Sequence, residues 1–217
     1  MVAIIQPYPL IVIEGLDGVG KSTQVKALAD VLNARVIQCP PAIEDPLFPG
    51  HDLRERMDSA THASRREYYR TGNFIASELA KECLKEGPVI LDRYWCSTAA
   101  FAAMDDNPPQ WEHIGVWPAG MLIPDIVILL VVDEQNRIER IGERGILVTE
   151  EEIRLESESC ERQRVLDLLQ HFDPIEIDTS NITPKEVLEQ ILYWLKIAGL
   201  IQQNICHDVG DVLLDSD

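Results

Sequence analysis

The sequence predicts an α/β domain in three layers, a five-stranded parallel sheet with helices on both faces. Two features carry the prediction: five short apolar runs alternate with longer stretches of helical periodicity, and the first run leads through a glycine-rich loop into a helix. A chain of 217 residues that is 46% hydrophobic can bury one sizeable core, and nothing in its composition divides it in two.

The first strand, residues 10–14, is the unbroken apolar run Leu10-Ile11-Val12-Ile13, and Val25, Leu28, Ala29 and Leu32 then recur at helical spacing over 22–33. Between them, Gly15-Leu16-Asp17-Gly18-Val19-Gly20-Lys21-Ser22 fills every fixed position of G-x-x-x-x-G-K-[ST], in the strand, loop and helix setting that the motif needs. Its glycines let backbone N–H groups wrap a β-phosphate at a helix N-terminus. Lys21 would reach the β- and γ-phosphates, and Ser22 would hold Mg²⁺. The ligand class is a nucleoside triphosphate, held by Gly15, Asp17, Gly18, Val19, Gly20, Lys21, Ser22 and Thr23. A plain glycine turn does not call for eight positions in this order. The fold expected is that of the P-loop NTPases.

Further strands fall at 35–39, 88–92, 126–132 and 174–178, and helices at 61–86, 95–104, 134–142, 150–170 and 184–198. Segment 39–50 is rich in proline and lacks periodicity, so it is a loop, and its place after the second strand puts it on the ligand side. Segment 105–123, with Pro108, Pro109 and Pro118, is another irregular connection. In a parallel sheet the ligand lies beyond the carboxyl ends of the strands, where the glycine loop, Asp92-Arg93 and Asp133 would converge. Residues 1–9 and the acidic stretch 201–217 are expected as tails outside a domain spanning 10–200.

The formal charge of −18, from nineteen basic and thirty-seven acidic residues, argues against a nucleic-acid partner, which needs a broad basic face. Nine of the cations nevertheless fall in two groups: Arg54, Arg56, Arg65, Arg66 and Arg70, then Arg137, Arg140, Arg144 and Arg154. Such groups either hold phosphates or form solvated helix faces paired with nearby Glu. Five widely spaced cysteines without a C-x-x-C pair point to neither a disulfide framework nor a zinc site, which fits a reducing compartment. No run approaches a membrane span, and the N-terminus has neither the arginines of a transit peptide nor the charged start of a secretory signal. The expectation is a soluble intracellular protein.

After the third strand comes Asp92-Arg93-Tyr94-Trp95-Cys96-Ser97-Thr98-Ala99-Ala100-Phe101-Ala102. Together with Glu14-Gly15-Leu16-Asp17 and the rest of the glycine loop, it resembles the thymidylate kinase family of nucleoside monophosphate kinases, over roughly residues 10–198. Pro124-Asp125-Ile126-Val127 and the arginine-rich stretch 137–145 add to the resemblance. It implies that Asp92 sits beside Mg²⁺ and the acceptor phosphate, that Arg93 binds that phosphate, and that Asp17 accepts a hydrogen bond from the acceptor's sugar. Residues 137–150 would form a lid over ATP, with Arg137 on the ATP side and Arg140 and Arg144 at the transferring phosphoryl group. Because the glycine loop carries no arginine of its own, the charge of that group must be met from elsewhere. Homodimers are usual in the family.

Two departures bear on the acceptor. Cys39-Pro40-Pro41 stands where the family usually has F-P-x-R, and Gly72 falls at the place of an arginine that reads the thymine edge. These departures resemble the mitochondrial UMP-CMP kinase branch, as do Arg54 with Arg65-Arg66, Tyr69 with Gly72-Asn73-Phe74, and Ser97-Thr98-Ala99. The resemblance implies UMP, CMP and their deoxy forms as acceptors, bound by Asp17, Arg54, Arg65, Tyr68, Tyr69, Gly72, Asn73 and Arg93, and a mitochondrial location. Gly72 costs a helix interior about 1 kcal/mol against Ala, so a pyrimidine base or a close packing partner approaches it. Tyr68 and Tyr69 either stack on that base or belong to the core. Thymidylate as the preferred acceptor, and a nucleotide-binding protein without turnover, remain as alternatives. A GTP-binding switch would need N-K-x-D after a strand, which the sequence lacks.

Overall fold

β1 (Leu10–Glu14) is buried at all five positions, and its four apolar side chains have no exposure at all. A continuous buried run of this kind requires partners on both edges and cover on both faces. In the computed structural model, which describes residues 8–105, 113–144 and 159–202, both conditions are met. β3 (Val89–Asp92) pairs along one edge, from Leu10 with Val89 to Ile13 with Asp92, and β4 (Ile126–Val131) along the other, from Ile11 with Ile126 to Glu14 with Leu129. β2 (Arg35–Gln38) and β5 (Ile175–Asp178) complete the order β2-β3-β1-β4-β5, every pair parallel. All five predicted strands are present, each bound within one residue of its expected place. Asp125 fixes the register where β4 begins: its carboxylate accepts from the Leu10 N–H at 2.7 Å, while its own N–H donates to the Leu10 carbonyl at 2.9 Å.

α1 (Lys21–Leu32) packs against α7 (Pro184–Ile197), and Gln24 Nε2 bridges them by donating to the Pro184 carbonyl at 2.9 Å. α7 starts cleanly because Thr183 and Glu186 form a reciprocal capping box ahead of Pro184. α3 (His62–Cys83), α4 (Trp95–Ala103) and α6 (Ser159–Gln170) pack in succession, α3 on α4 and α4 on α6. α5 (Glu134–Arg144) leaves the carboxyl end of β4. Among the described residues, periodicity missed one helix, α2 (Leu53–Asp58). It is only six residues long and buries none of them, so it has no apolar stripe to read; its start is marked instead by Asp52, whose carboxylate accepts from the Arg54 N–H at 2.9 Å. The expected helix over 150–170 is described from Ser159 onward; residues 1–7, 106–112, 145–158 and 203–217, and so most of the two expected tails, lie outside the described residues.

α3 comes unusually close to the segment that leaves β2. A Cβ placed on Gly72 would lie 2.3 Å from the Cβ of Pro40 and 3.2 Å from its Cα, far inside van der Waals contact. Gly72 is therefore where the helix touches Pro40, which follows a cis peptide bond from Cys39. Restoring a methyl group at this point should gain about 1 kcal/mol of helix propensity and lose about 1–3 kcal/mol to overpacking. We expect Gly72→Ala to lower the thermal midpoint; a midpoint equal to or above that of the wild type would mean that the Pro40 segment yields without cost.

Candidate active site

The glycine loop begins where β1 ends. Gly15 turns the chain at φ 143° so close to β4 that a Cβ there would lie 2.5 Å from the Leu130 carbonyl oxygen. Gly20, the N-cap of α1, has φ 92° and open space around it, so glycine is required there by backbone conformation alone. Having no side chain, it leaves the first N–H groups of α1 available to an anion. Lys21, the first residue of α1, folds back over this loop. Its Nζ donates to the Leu16 carbonyl at 2.9 Å and lies 3.5 Å from the Asp17 carboxylate.

Arg93 enters the same space from the end of β3. Its backbone sits in the left-handed region at φ 64°, held by a hydrogen bond from its N–H to the Ile13 carbonyl at 3.0 Å. Its Nη2 donates to Asp17 Oδ1 at 3.0 Å and its Nη1 to Ser97 Oγ at 3.4 Å. The structure thus brings Lys21 and Arg93 each to the Asp17 carboxylate, with Asp92 close enough to act on both cations. Burial works against the charge on Arg93, but Asp17, Glu14 and Asp92 together hold its pKa above the ordinary value. For Lys21 the balance tips the other way. Burial first, and then the neighbouring Arg93, push it down to about 8 against the pull of Asp17, Asp92 and Glu14.

Glu14 was not among the expected site residues. It is 0% exposed and accepts hydrogen bonds from the N–H groups of Tyr94 and Ser97 and from Ser97 Oγ. Burial raises its carboxyl pKa, with Arg93, Ser97 and Tyr94 opposing. The sequence held a signal for it, since a carboxylate closing an apolar strand covered on both faces must find partners inside.

The lid arginines lie against the opposite side of the loop. Arg137 covers Gly18, whose Cβ would come within 3.0 Å of Arg137 Cγ, and its guanidinium makes a two-pronged contact with Glu134 at 2.9 and 3.0 Å. Arg140 donates to the Thr179 carbonyl at 2.7 Å, to Thr179 Oγ1 at 2.9 Å and, more weakly, to the Gly18 carbonyl at 3.4 Å. Thr179 itself donates to the Val19 carbonyl at 3.1 Å, so the turn after β5 and the glycine loop are joined through one hydroxyl. Thr179 was not foreseen either, because an isolated threonine after a strand carries no pattern. Arg144 ends α5, and its side chain lies outside the described residues, as do 145–150 of the expected lid.

Three of the expected acceptor residues, Arg54, Arg65 and Tyr69, gather around Asp58, at the end of α2. Arg54 Nε lies 3.5 Å from its carboxylate, Tyr69 Oη donates to it at 3.0 Å, and Arg65 Nη2 donates to its carbonyl at 2.6 Å. Tyr68 is buried with its ring edge-on to that of Tyr69, centroids 5.4 Å apart, and burial raises its pKa. Asn73 uses its amide nitrogen on the Tyr69 carbonyl and on Thr98 Oγ1, both at 2.7 Å, and its buried Oδ1 has no partner among the described residues. Arg54 is near enough to Arg93 for the two charges to oppose each other, which makes this cluster the neighbour of the phosphate cluster. Of the expected residues, Gly72 meets Pro40.

Ser22 is exposed at the mouth of the loop, and Asp92 ends β3 beside Lys21. A hydroxyl and a carboxylate are hard oxygen donors that suit Mg²⁺, an ion that commonly completes its shell with waters and substrate phosphates. The residues present therefore fit the ion.

The family model described as thymidylate kinase matches residues 13–191. The chain belongs to the thymidylate kinase family. It is 38% identical over 166 residues to the human protein named UMP-CMP kinase 2, mitochondrial, a match covering 73% of this chain and 35% of that protein. It is 29% identical over 192 residues to a probable thymidylate kinase of Methanocaldococcus jannaschii, covering 86% of this chain and 95% of that one. The chain thus corresponds to about a third of the human relative and to nearly all of the archaeal one. Among solved structures, thymidylate kinase from Candida albicans superposes with a TM-score of 0.65 at 22% identity, covering 89% of this chain and 93% of that one. Deoxyadenosine kinase from M. mycoides with bound dATP follows at 0.59 and 22% identity, with 86% and 99% coverage. Both have the same three-layer fold. The domain is a kinase domain of the ATP-dependent nucleoside monophosphate class.

In this kinase domain, an anion placed beside Lys21 will favour its charged form, so triphosphate binding above pH 8 must draw a proton from solvent. We expect ATP affinity to fall as pH rises through about 8, and calorimetry at pH 8.5 in buffers of differing ionisation enthalpy to report net proton uptake on binding. Lys21→Arg should abolish the uptake. If wild type and variant take up the same number of protons, Lys21 is not the titrating group.

Proposed function

We propose that the chain transfers the γ-phosphoryl group of MgATP to UMP, CMP or their deoxy forms. The observation that carries this reading is the seat of Gly72, where even a Cβ would run into Pro40. A thymine-reading arginine has no room there. The name of the human relative, which covers 73% of this chain, supports the same acceptors and a mitochondrial location. Phosphorylation of dTMP is the second reading, favoured by the name of the archaeal relative.

In this reading the acceptor phosphate, with a second pKa near 6, arrives ionised and needs no general base. One of its oxygens attacks the γ-phosphorus in line as the bond to the β,γ-bridging oxygen breaks, and ADP leaves. Lys21 and the loop N–H groups hold the ATP phosphates, Arg93 orients the acceptor phosphate with Arg54 or Arg65, and Asp17 takes the acceptor's sugar hydroxyl. Asp17 now occupies Arg93 and Lys21 in its place. When bound, Mg²⁺ neutralises charge on the β- and γ-phosphate oxygens, and Ser22 and Asp92 are the residues that would hold it. Positioning and charge compensation are the whole of the protein's contribution. Arg140 and Arg144 supply the remaining positive charge once the lid closes and water is excluded. For the assembly we propose a homodimer, supported by the family resemblance and by the apolar outer face of α3, where Ile75 and Leu79 are exposed.

A coupled ADP-release assay with MgATP and UMP, CMP, dUMP, dCMP and dTMP tests the acceptor. Fastest turnover on the uracil or cytosine nucleotides is expected; dTMP leading would replace this reading with the second, and no turnover on any acceptor would leave a nucleotide-binding protein without catalysis. Arg140→Ala and Arg144→Ala should each lower kcat by a factor on the order of 10³, by analogy with arginine fingers. Undiminished kcat in both would remove the lid from the reaction.

A further inference from the structure

α4 begins without a cap of its own. Its N-cap is Tyr94, at φ −163° and ψ −151°, and that side chain makes no capping hydrogen bond. The N–H groups that a capping box would satisfy are those of the N-cap residue and of the third helical residue, here Tyr94 and Ser97. Both donate to a single oxygen of Glu14, at 2.9 and 3.2 Å, while Ser97 Oγ donates to the other at 2.5 Å. A carboxylate from the central strand therefore caps a helix eighty residues further along the chain.

Arg93 is the residue just before this cap. Its N–H is held by Ile13 and the next N–H by Glu14, so two consecutive residues of β1 clamp its backbone in the left-handed region, where a non-glycine residue does not rest unaided. Its guanidinium reaches Ser97 Oγ, which Glu14 also orients, and Asp17, three residues beyond Glu14. We infer that Glu14 is the positioning residue for Arg93: it fixes the direction in which that guanidinium presents itself to the acceptor phosphate, and holds it in register with the glycine loop. This rests on the kinase reading above and on the assignment of Arg93 to the acceptor.

Glutamine tests positioning apart from charge. Its Oε1 can accept both N–H groups and its Nε2 can donate to Ser97 Oγ, so Glu14→Gln keeps the clamp, whereas Glu14→Ala removes it. Steady-state kinetics with MgATP and whichever of UMP, CMP, dUMP, dCMP and dTMP the wild type turns over fastest should show the acceptor KM raised about tenfold or more in Glu14→Ala, with the ATP KM within about threefold of wild type. Glu14→Gln should keep its acceptor KM within about threefold of wild type. An unchanged acceptor KM in Glu14→Ala, equal defects in the two variants, or an ATP KM raised as far as the acceptor KM would each overturn the assignment. If Glu14→Ala does not fold, Ser97→Ala decides, with a raised acceptor KM expected and an unchanged one fatal. Amide hydrogen exchange separates this inference from the kinase reading. A wild type without turnover refutes that reading, yet Tyr94 and Ser97 should still exchange faster in the alanine variant than in wild type and Glu14→Gln; equal exchange in all three would refute the clamp.

Discussion

A site made for several phosphates has to exist before they arrive, and its cations must be held close together with little water between them. Burial alone would drive the charge off such groups. Here the problem is met by three carboxylates from three places in the chain: Glu14 at the end of β1, Asp17 in the glycine loop and Asp92 at the end of β3. They keep Arg93 firmly charged while leaving Lys21 near its tipping point. The difference follows from what each cation feels besides burial: Lys21 is also opposed by Arg93, whereas Arg93 is met first by Asp17, at 3.0 Å. Substrate phosphates would take over a role that internal acids already perform, so filling the site exchanges one set of anions for another.

The same compensation sets the spatial logic of the domain. β1 lies at the centre of the sheet, and its last residues hold the glycine loop on one side and the start of α4 on the other. Arg93 and the glycine loop are thus both tied to one buried strand. The flanking clusters are tied in by side chains, Arg140 and Thr179 on one side and Arg54, Tyr69 and Asp58 on the other. A scaffold of buried strands with charged residues at one end gives precision where bonds are transferred and leaves the helices around it free to differ.

Much of this could be read from the residues. Short apolar runs bounded by breaks and alternating with helical periodicity marked β1 to β5, the edge strands β2 and β5 only by two or three apolar residues each, and the fixed spacing of the glycine loop marked Lys21 and Ser22. Arg93 was legible because it follows a strand in a recognisable dipeptide. α2 was not, since a six-residue helix without a buried face leaves no periodic trace. Glu14, Thr98 and Thr179 escaped for another reason: each acts on residues distant in the chain, and only the folded topology brings them together. The choice between two explanations for Gly72 also needed the third dimension, because Pro40 is thirty-two residues away.

That last contact has an evolutionary side. A side chain at position 72 would be pressed by Pro40, and making room for it would shift the segment that follows β2. The two positions are coupled, so a sequence could exchange Gly72 for a larger residue only through a less stable intermediate or by changing both together. A laboratory search through single substitutions would miss the exchange, whereas a library varying both positions at once would sample it.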